Sequence, residues 1–188
     1  MIVTELKLPK VKIIEPDYFK DHRGYYCETF SVRTLKREAS IENTFVQDNH
    51  SMTFNAGTIR GIHFQLNPKP QAKLVRCTKG KVLDVVVDLR SDSDTFKDWI
   101  SIELSDENKK QIWIPNGFGH GFLTLTNNCE IQYKVDEFYS PKYDSSIAWN
   151  DPDLAIDWGI SDPIVSLKDA NAPALIDSDV NFTIDINN

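Results

Sequence analysis

Val82-Leu83-Asp84-Val85-Val86-Val87-Asp88-Leu89 repeats with period 2: Leu83, Val85, Val87 and Leu89 share one face, while Asp84 and Asp88 lie on the other. Successive side chains of a strand point to opposite sides of the sheet, so this alternation predicts a β-strand. The period recurs at Ile100, Ile102 and Leu104. Outward from there, between residue 11 and about residue 138, short apolar or alternating runs are separated by turn clusters: VKIIEP, YYCETF, FVQDNHSM, IRGIHFQ, KLVRCTKG, WISIEL, QIWIP, HGFLTL and EIQYKV. Strands at this spacing predict a sandwich or barrel. The best helical segment is Ser31 to Ser40 (SVRTLKREAS), with hydroxyl residues near its start and good helix formers inside.

After Tyr139 the chain changes character. Pro141, Pro152, Pro163 and Pro173 fall among many Asp, Asn and Ser residues, which predicts a loop-rich wrap over residues 140–188. With no internal repeat or linker, the 188 residues read as one domain, with Asn187 and Asn188 expected to fray.

A formal net charge of -7 offers no basic stripe for nucleic acid and no attraction to acidic lipid headgroups. The opening MIVTELKLPKVKIIEPD lacks the apolar core of a secretory signal, and no later window approaches the length of a membrane span, so a cytoplasmic protein is expected. Cys27, Cys77 and Cys129 are odd in number and lack C-x-x-C spacing, which favours buried reduced thiols over a disulfide framework or a zinc site.

Gly57 lies six residues before His63, Lys73 lies seven before Gly80, and Pro115-x-Gly117-x-x-His120 follows. These spacings resemble the two signatures of the cupin superfamily, which implies a mainly β, double-stranded β-helix (jelly-roll) barrel with a few short helices. Metal-binding cupins carry three His and a Glu at places that here resemble His63, Gln65, Lys73 and His120. Gln is a poor transition-metal ligand, and an ammonium repels a cation. No metal is expected. A buried Lys instead suits a site where negative charge develops on a substrate oxygen.

Read together, FKDHRGYYCETF, FVQDNHS, IRGIHFQ, QAKLVRCTKGKVLDVVVDLR, IWIPNGFGHGF, YKVDEFYSP, IAWNDPDLAIDW and SLKDA resemble the dTDP-4-dehydrorhamnose 3,5-epimerase family, from about Lys12 to Leu175. The resemblance implies an isomerase that needs no cofactor: a nucleotide-linked 4-keto-6-deoxyhexose loses a proton next to the ketone and regains it on the opposite face, at carbons 5 and 3. A base titrating near neutrality suits this chemistry, and His63 fills that place. Asp169, which by itself passes for a surface turn residue, matches the family's carboxylate partner for that imidazole. Tyr133 shares a strand face with Ile131 and Val135 and matches the opposite-face proton donor, while Lys73 matches the cation at the enolate oxygen.

Substrate anchors carry over to Arg23, Glu28, Gln47, Asn49, Arg60, His120, Asp144 and Lys168, with Asp144 standing where the family usually shows Glu. The expected partners are a nucleotide sugar and a second copy of the chain, in a homodimer with exchanged N-terminal strands drawn from the first fifty or so residues. One conflict stands out: Arg60 and His63 differ in strand parity, so both face the site only if Gly61 carries a bend or bulge. Within the family, the nearest alternative is a 3-epimerase or 5-epimerase acting on another nucleotide 4-keto sugar. Beyond it stand a metal-dependent cupin and a silent sugar-binding protein.

Overall fold

The structure, a computed structural model, describes residues 1–184. Asn187 and Asn188 therefore lie outside the described residues. The chain begins with strands β1 (Ile2–Glu5), β2 (Lys12–Glu15), β3 (Tyr18–Asp21) and β4 (Gly24–Cys27). After a helical turn come β5 (Gln47–Thr53), β6 (Ile59–Gln65), β7 (Lys73–Lys79), β8 (Lys81–Asp88) and β9 (Trp99–Ser105). The series ends with β10 (Gln111–Ile114), β11 (Phe118–Thr124), β12 (Cys129–Val135) and β13 (Asp144–Ser146). Every run read as a strand forms one. β13 is an exception to the reading of the tail as strand-free, because its backbone completes the edge of β6.

Six strands in the order β1-β2-β10-β7-β12-β5 face five in the order β13-β6-β11-β8-β9, and β3 and β4 form a separate hairpin. The space between the two sheets is filled from both sides, by Val75, Ile112 and Ile131 from one and Val82, Val86 and Phe122 from the other. A second cluster covers the outside of the five-stranded sheet, where Ile62, Phe64, Val85 and Val87 meet Ile147, Leu154, Trp158 and Phe182 of the C-terminal segment. A third packs Leu35, Ala39 and Ile41 on Leu74 and Trp113 of the six-stranded sheet.

These clusters decide which face of β8 looks inward. Its apolar face, with Val85, Val87 and Leu89, lies under the C-terminal segment, whereas Asp84 and Asp88 point into the barrel and are fully buried. The strand is covered on both sides, so its apolar face does not mark the barrel interior. The segment Ser31–Ser40 is helical in part: Ser31 Oγ accepts from Thr34 N–H ahead of α1 (Val32–Thr34), and the chain continues as a π turn over Leu35–Ala39. Cys77 and Cys129 are buried, and burial pushes the Cys77 thiol up to about 12. Cys27 is only half-buried, because it lies on the separate hairpin.

The parity conflict at Gly61 resolves as a bulge. His120 of β11 is opposite His63 and Phe122 is opposite Arg60, so β6 carries one extra residue between those pairs and turns both side chains inward. Gly61 sits at φ +140°, and a Cβ there would lie 2.5 Å from the Cα of Gly121. Gly61→Ala is therefore expected to destabilise the fold by at least about 3 kcal/mol, from the strained φ and from two backbones forced apart. Urea unfolding measures it, and a loss below about 1 kcal/mol would show that the strands can part easily.

Candidate active site

Alternation on each strand sends Lys73 of β7, Asp84 of β8, His120 of β11, Tyr133 of β12 and Gln47 and Asn49 of β5 toward the interior that the bulge gives to Arg60 and His63. His63 Nε2 lies 2.6 Å from Asp169 Oδ1, across 106 positions of sequence. Asp169 belongs to a four-residue helix, α2 (Leu167–Ala170), whose Ser166 hydroxyl accepts the Asp169 N–H. So short a helix has little stability alone, and its surroundings hold it. Just before it, Ile164 exchanges backbone hydrogen bonds with Gly57 and Ile59 at the start of β6. Just after it, Ala148 N–H donates to Pro173 and the Leu175 N–H donates to the buried Asp151 carboxylate.

Burial pulls the Asp169 carboxyl upward, but the hydrogen bond from His63 and the nearby charges hold it below the usual carboxylate range. The anion therefore accepts a hydrogen bond from His63 Nε2–H, which leaves Nδ1 turned away from the carboxylate. Such a pair takes up a proton readily, since the carboxylate stabilises the imidazolium that results.

Lys73 is only 8% exposed, and its Nζ donates to the His63 carbonyl at 3.3 Å. Burial pushes this ammonium down to about 8, against the pull of the Asp84 and Asp144 carboxylates. His120 is likewise lowered by burial, with Asp84 opposing, and its Nε2 lies 2.9 Å from Asp84 Oδ2. Tyr133 comes from the opposite sheet to His63, half-buried between Val75 of β7 and Asn49 of β5. Burial raises its hydroxyl despite the nearby Arg60, so it keeps its proton at neutral pH.

A polar rim surrounds these groups. Arg60 Nε donates to Thr53 Oγ1 at 3.0 Å, and Gln47 donates to Asn49 Oδ1 while accepting the Tyr139 N–H. Lys168 pairs with Asp144 at 2.6 Å, and the Tyr139 hydroxyl donates to the same carboxylate. A cation flanked by hydrogen-bonding groups at the mouth of a barrel suits an anionic ligand with an extended polar body.

The family model for dTDP-4-dehydrorhamnose 3,5-epimerase matches residues 5–177. The chain belongs to that family.

Among similar epimerases, a dTDP-4-dehydrorhamnose 3,5-epimerase from Salmonella typhimurium is 47% identical over 93% of this chain and 96% of its own. The crystal structure of the Bacillus anthracis epimerase, solved with TDP and PPi bound, superposes with a TM-score of 0.90 at 46% identity, covering 92% of this chain and 98% of that one. The dTDP-6-deoxy-D-glucose-3,5-epimerase of Legionella pneumophila, in complex with dTDP-4-keto-L-rhamnose, gives 0.93 at 38% identity and 98% coverage of both chains. The jelly-roll barrel expected from the motifs is thus the fold of this epimerase family member.

Two expected anchors do not converge on His63 within one chain. Arg23, at the tip of the β3–β4 hairpin, is 78% exposed and pairs with Asp21, and Glu28 accepts from the Thr34 hydroxyl. The hairpin lies on the outer face of the six-stranded sheet, where Tyr18, Tyr25 and Cys27 enclose with Arg76, Thr78 and Gln111 a cavity of ≈ 320 Å³. Gln65 has a structural role that its sequence position alone did not reveal. Its amide donates to the carbonyls of Lys69 and Phe138 and accepts from Ser140 N–H, so the side chain at the old metal-ligand place ties down the rim. Among the described residues, no three His, Cys, Asp or Glu are grouped to hold a metal ion. None of the helices described is long and apolar enough to cross a membrane. Asp84 was the residue most clearly missed, and its signal was an aspartate within an otherwise apolar strand.

Proposed function

We propose that this epimerase family member converts dTDP-4-dehydro-6-deoxy-D-glucose to dTDP-4-dehydro-L-rhamnose by proton transfer at carbons 5 and 3, within dTDP-L-rhamnose biosynthesis. One observation carries the reading: His63, backed by Asp169, and Tyr133 project from opposing sheets into one interior that also holds the Lys73 ammonium. Inversion needs a base on one face of the sugar and an acid on the other. His63 Nδ1 takes the proton next to the ketone, and Asp169 stabilises the imidazolium. Lys73 holds the enolate oxygen, and Tyr133 returns a proton from the far side. Removal and return of a proton is redox-neutral, so the reaction asks for no electron carrier.

Arg60, His120, Gln47 and Asn49 hold the sugar and phosphates in this reading, with Asp144 and Lys168 at the rim. Arg23 and Glu28 serve a neighbouring molecule. The exposed Phe19, Tyr25 and Tyr26 on the hairpin and the open edge of β5 favour a homodimer in which the hairpin is exchanged. The chain acts as one domain and works in the cytoplasm.

Incubation of the authentic 4-keto sugar with the protein in heavy water should place deuterium at two carbons, with the L-rhamno product seen by NMR. No label at either carbon would refute the substrate, and label at one carbon would make the protein a single-centre epimerase. Tyr133→Phe should still exchange the proton on the His63 side, while net inversion falls about 10²-fold or more. Equal loss of exchange and inversion would make Tyr133 a packing residue.

A further inference from the structure

Two aspartates of β8 point into the barrel, and they are treated differently. Asp88 accepts from the Arg90 backbone and guanidinium and from the Ser93 and Thr95 hydroxyls, so its carboxylate is fully engaged in local structure. Asp84 is 0% exposed, yet only Oδ2 is engaged, by His120 Nε2, and Oδ1 has no hydrogen-bond partner among the described residues. A buried carboxylate with one idle oxygen is costly, and a structural role alone would have met it with donors as at Asp88. It persists where a function uses its charge.

We propose, building on the epimerase reading, that Asp84 is a positioning residue of this site: its carboxylate keeps the Lys73 side chain in the ammonium form and locks His120 as the neutral Nε2–H tautomer. Lys73 and His120 sit on the two strands that bracket the interior, and Asp84 is the charge common to both. Burial drives each of them toward neutrality, and for each the Asp84 charge is the largest opposing influence. The outcomes differ because Lys73 has the higher intrinsic basicity: its ammonium survives at neutral pH, whereas His120 stays neutral and donates its single N–H to Asp84. A neutral His120 then presents Nδ1 as an acceptor for a substrate hydroxyl, and a charged Lys73 faces the enolate oxygen.

Other charged or titratable groups act on the same pair. Asp144 of β13 raises Lys73, Lys168 of α2 lowers it, and His63 of β6 lowers His120, while Arg60 of β6 and Tyr133 of β12 complete the ring. Asp144 already pairs with Lys168 at 2.6 Å, whereas among the described residues Asp84 is engaged by His120 alone.

The test is the pH profile of kcat/KM for Asp84→Asn, which keeps shape and removes charge. In the native protein the alkaline limb is expected near pH 8, where Lys73 loses its proton. In Asp84→Asn that limb should move down by about one pH unit, so the loss is about fivefold at pH 8, approaches about tenfold above it and shrinks toward pH 6, and Asp84→Glu should move it back. Loss by one constant factor at every pH, or an unmoved limb, would overturn the proposal. Imidazole nitrogen NMR of the native protein supplies a measurement independent of folding variants and of turnover: His120 should remain the neutral Nε2–H tautomer from about pH 6.5 to 8.5. An Nδ1–H tautomer or a protonated ring in that window would also overturn it. Absence of turnover with a locked His120 would instead count against the epimerase reading and leave Asp84 in its place.

Discussion

His63→Ala is expected to abolish solvent exchange of the substrate protons, a loss of about 10³–10⁴-fold, while the barrel still folds. The imidazole is one-third exposed, so its removal opens little core, but it strips the 3%-exposed Asp169 of its closest donor. The stability cost, about 1–3 kcal/mol, carries a pH signature. The folded Asp169 carboxyl lies below its unfolded value, so it contributes stability above the ordinary carboxylate range that is lost as pH falls through the folded value. The gap in melting temperature between native protein and His63→Ala should therefore be full at pH 7 and close below about pH 4. Exchange that persists in the variant at more than a tenth of the native rate would remove His63 from the chemistry.

Lys73→Met separates function from stability in opposite directions. Turnover should fall by about 10²–10³-fold, because a fixed cation at a developing oxyanion contributes that much in a water-poor site. The fold should become more stable, since burial holds Lys73 down near 8 from its ordinary 10.5 and the ammonium is a net cost to the folded state. The full cost, on the order of 3 kcal/mol, applies below about pH 8. Between that value and the ordinary one, the folded chain sheds the proton that the unfolded chain keeps, so native stability rises with pH. Differential scanning calorimetry should show Lys73→Met melting higher than the native protein at pH 7, with the difference closing toward pH 10. A variant that melts lower at pH 7 would mean that the hydrogen bond from Nζ to the His63 carbonyl outweighs desolvation.

Such a trade of stability for a charged interior is a common property of active sites. Here it is concentrated on the inner ends of a few strands. Elsewhere in the same interior the facing positions are Val, Ile and Phe, and the charged groups at the far end, Asp88 and Arg90, satisfy one another at 2.6 Å.

Local pattern alone sufficed for much of this protein. The alternation in residues 82–89 and the spacing of the runs around it give the barrel, because a period of 2 is a property of a few consecutive residues. The inward aim of Tyr133 followed from the same rule, and Gly61 announced the bulge that lets Arg60 and His63 share a face. Tertiary structure alone decided the rest. Which face of β8 looks inward depends on a distant C-terminal segment that covers the other face, so alternation by itself gave Asp84 no inward or outward assignment, and packing made it fully buried. Asp169 reaches His63 only because backbone hydrogen bonds on both sides of α2 sew it to the barrel, and Arg23 and Glu28 lie on a hairpin that the same chain directs away from the site. Alternation is encoded residue by residue, whereas burial and meeting across 106 positions are set by what packs against what.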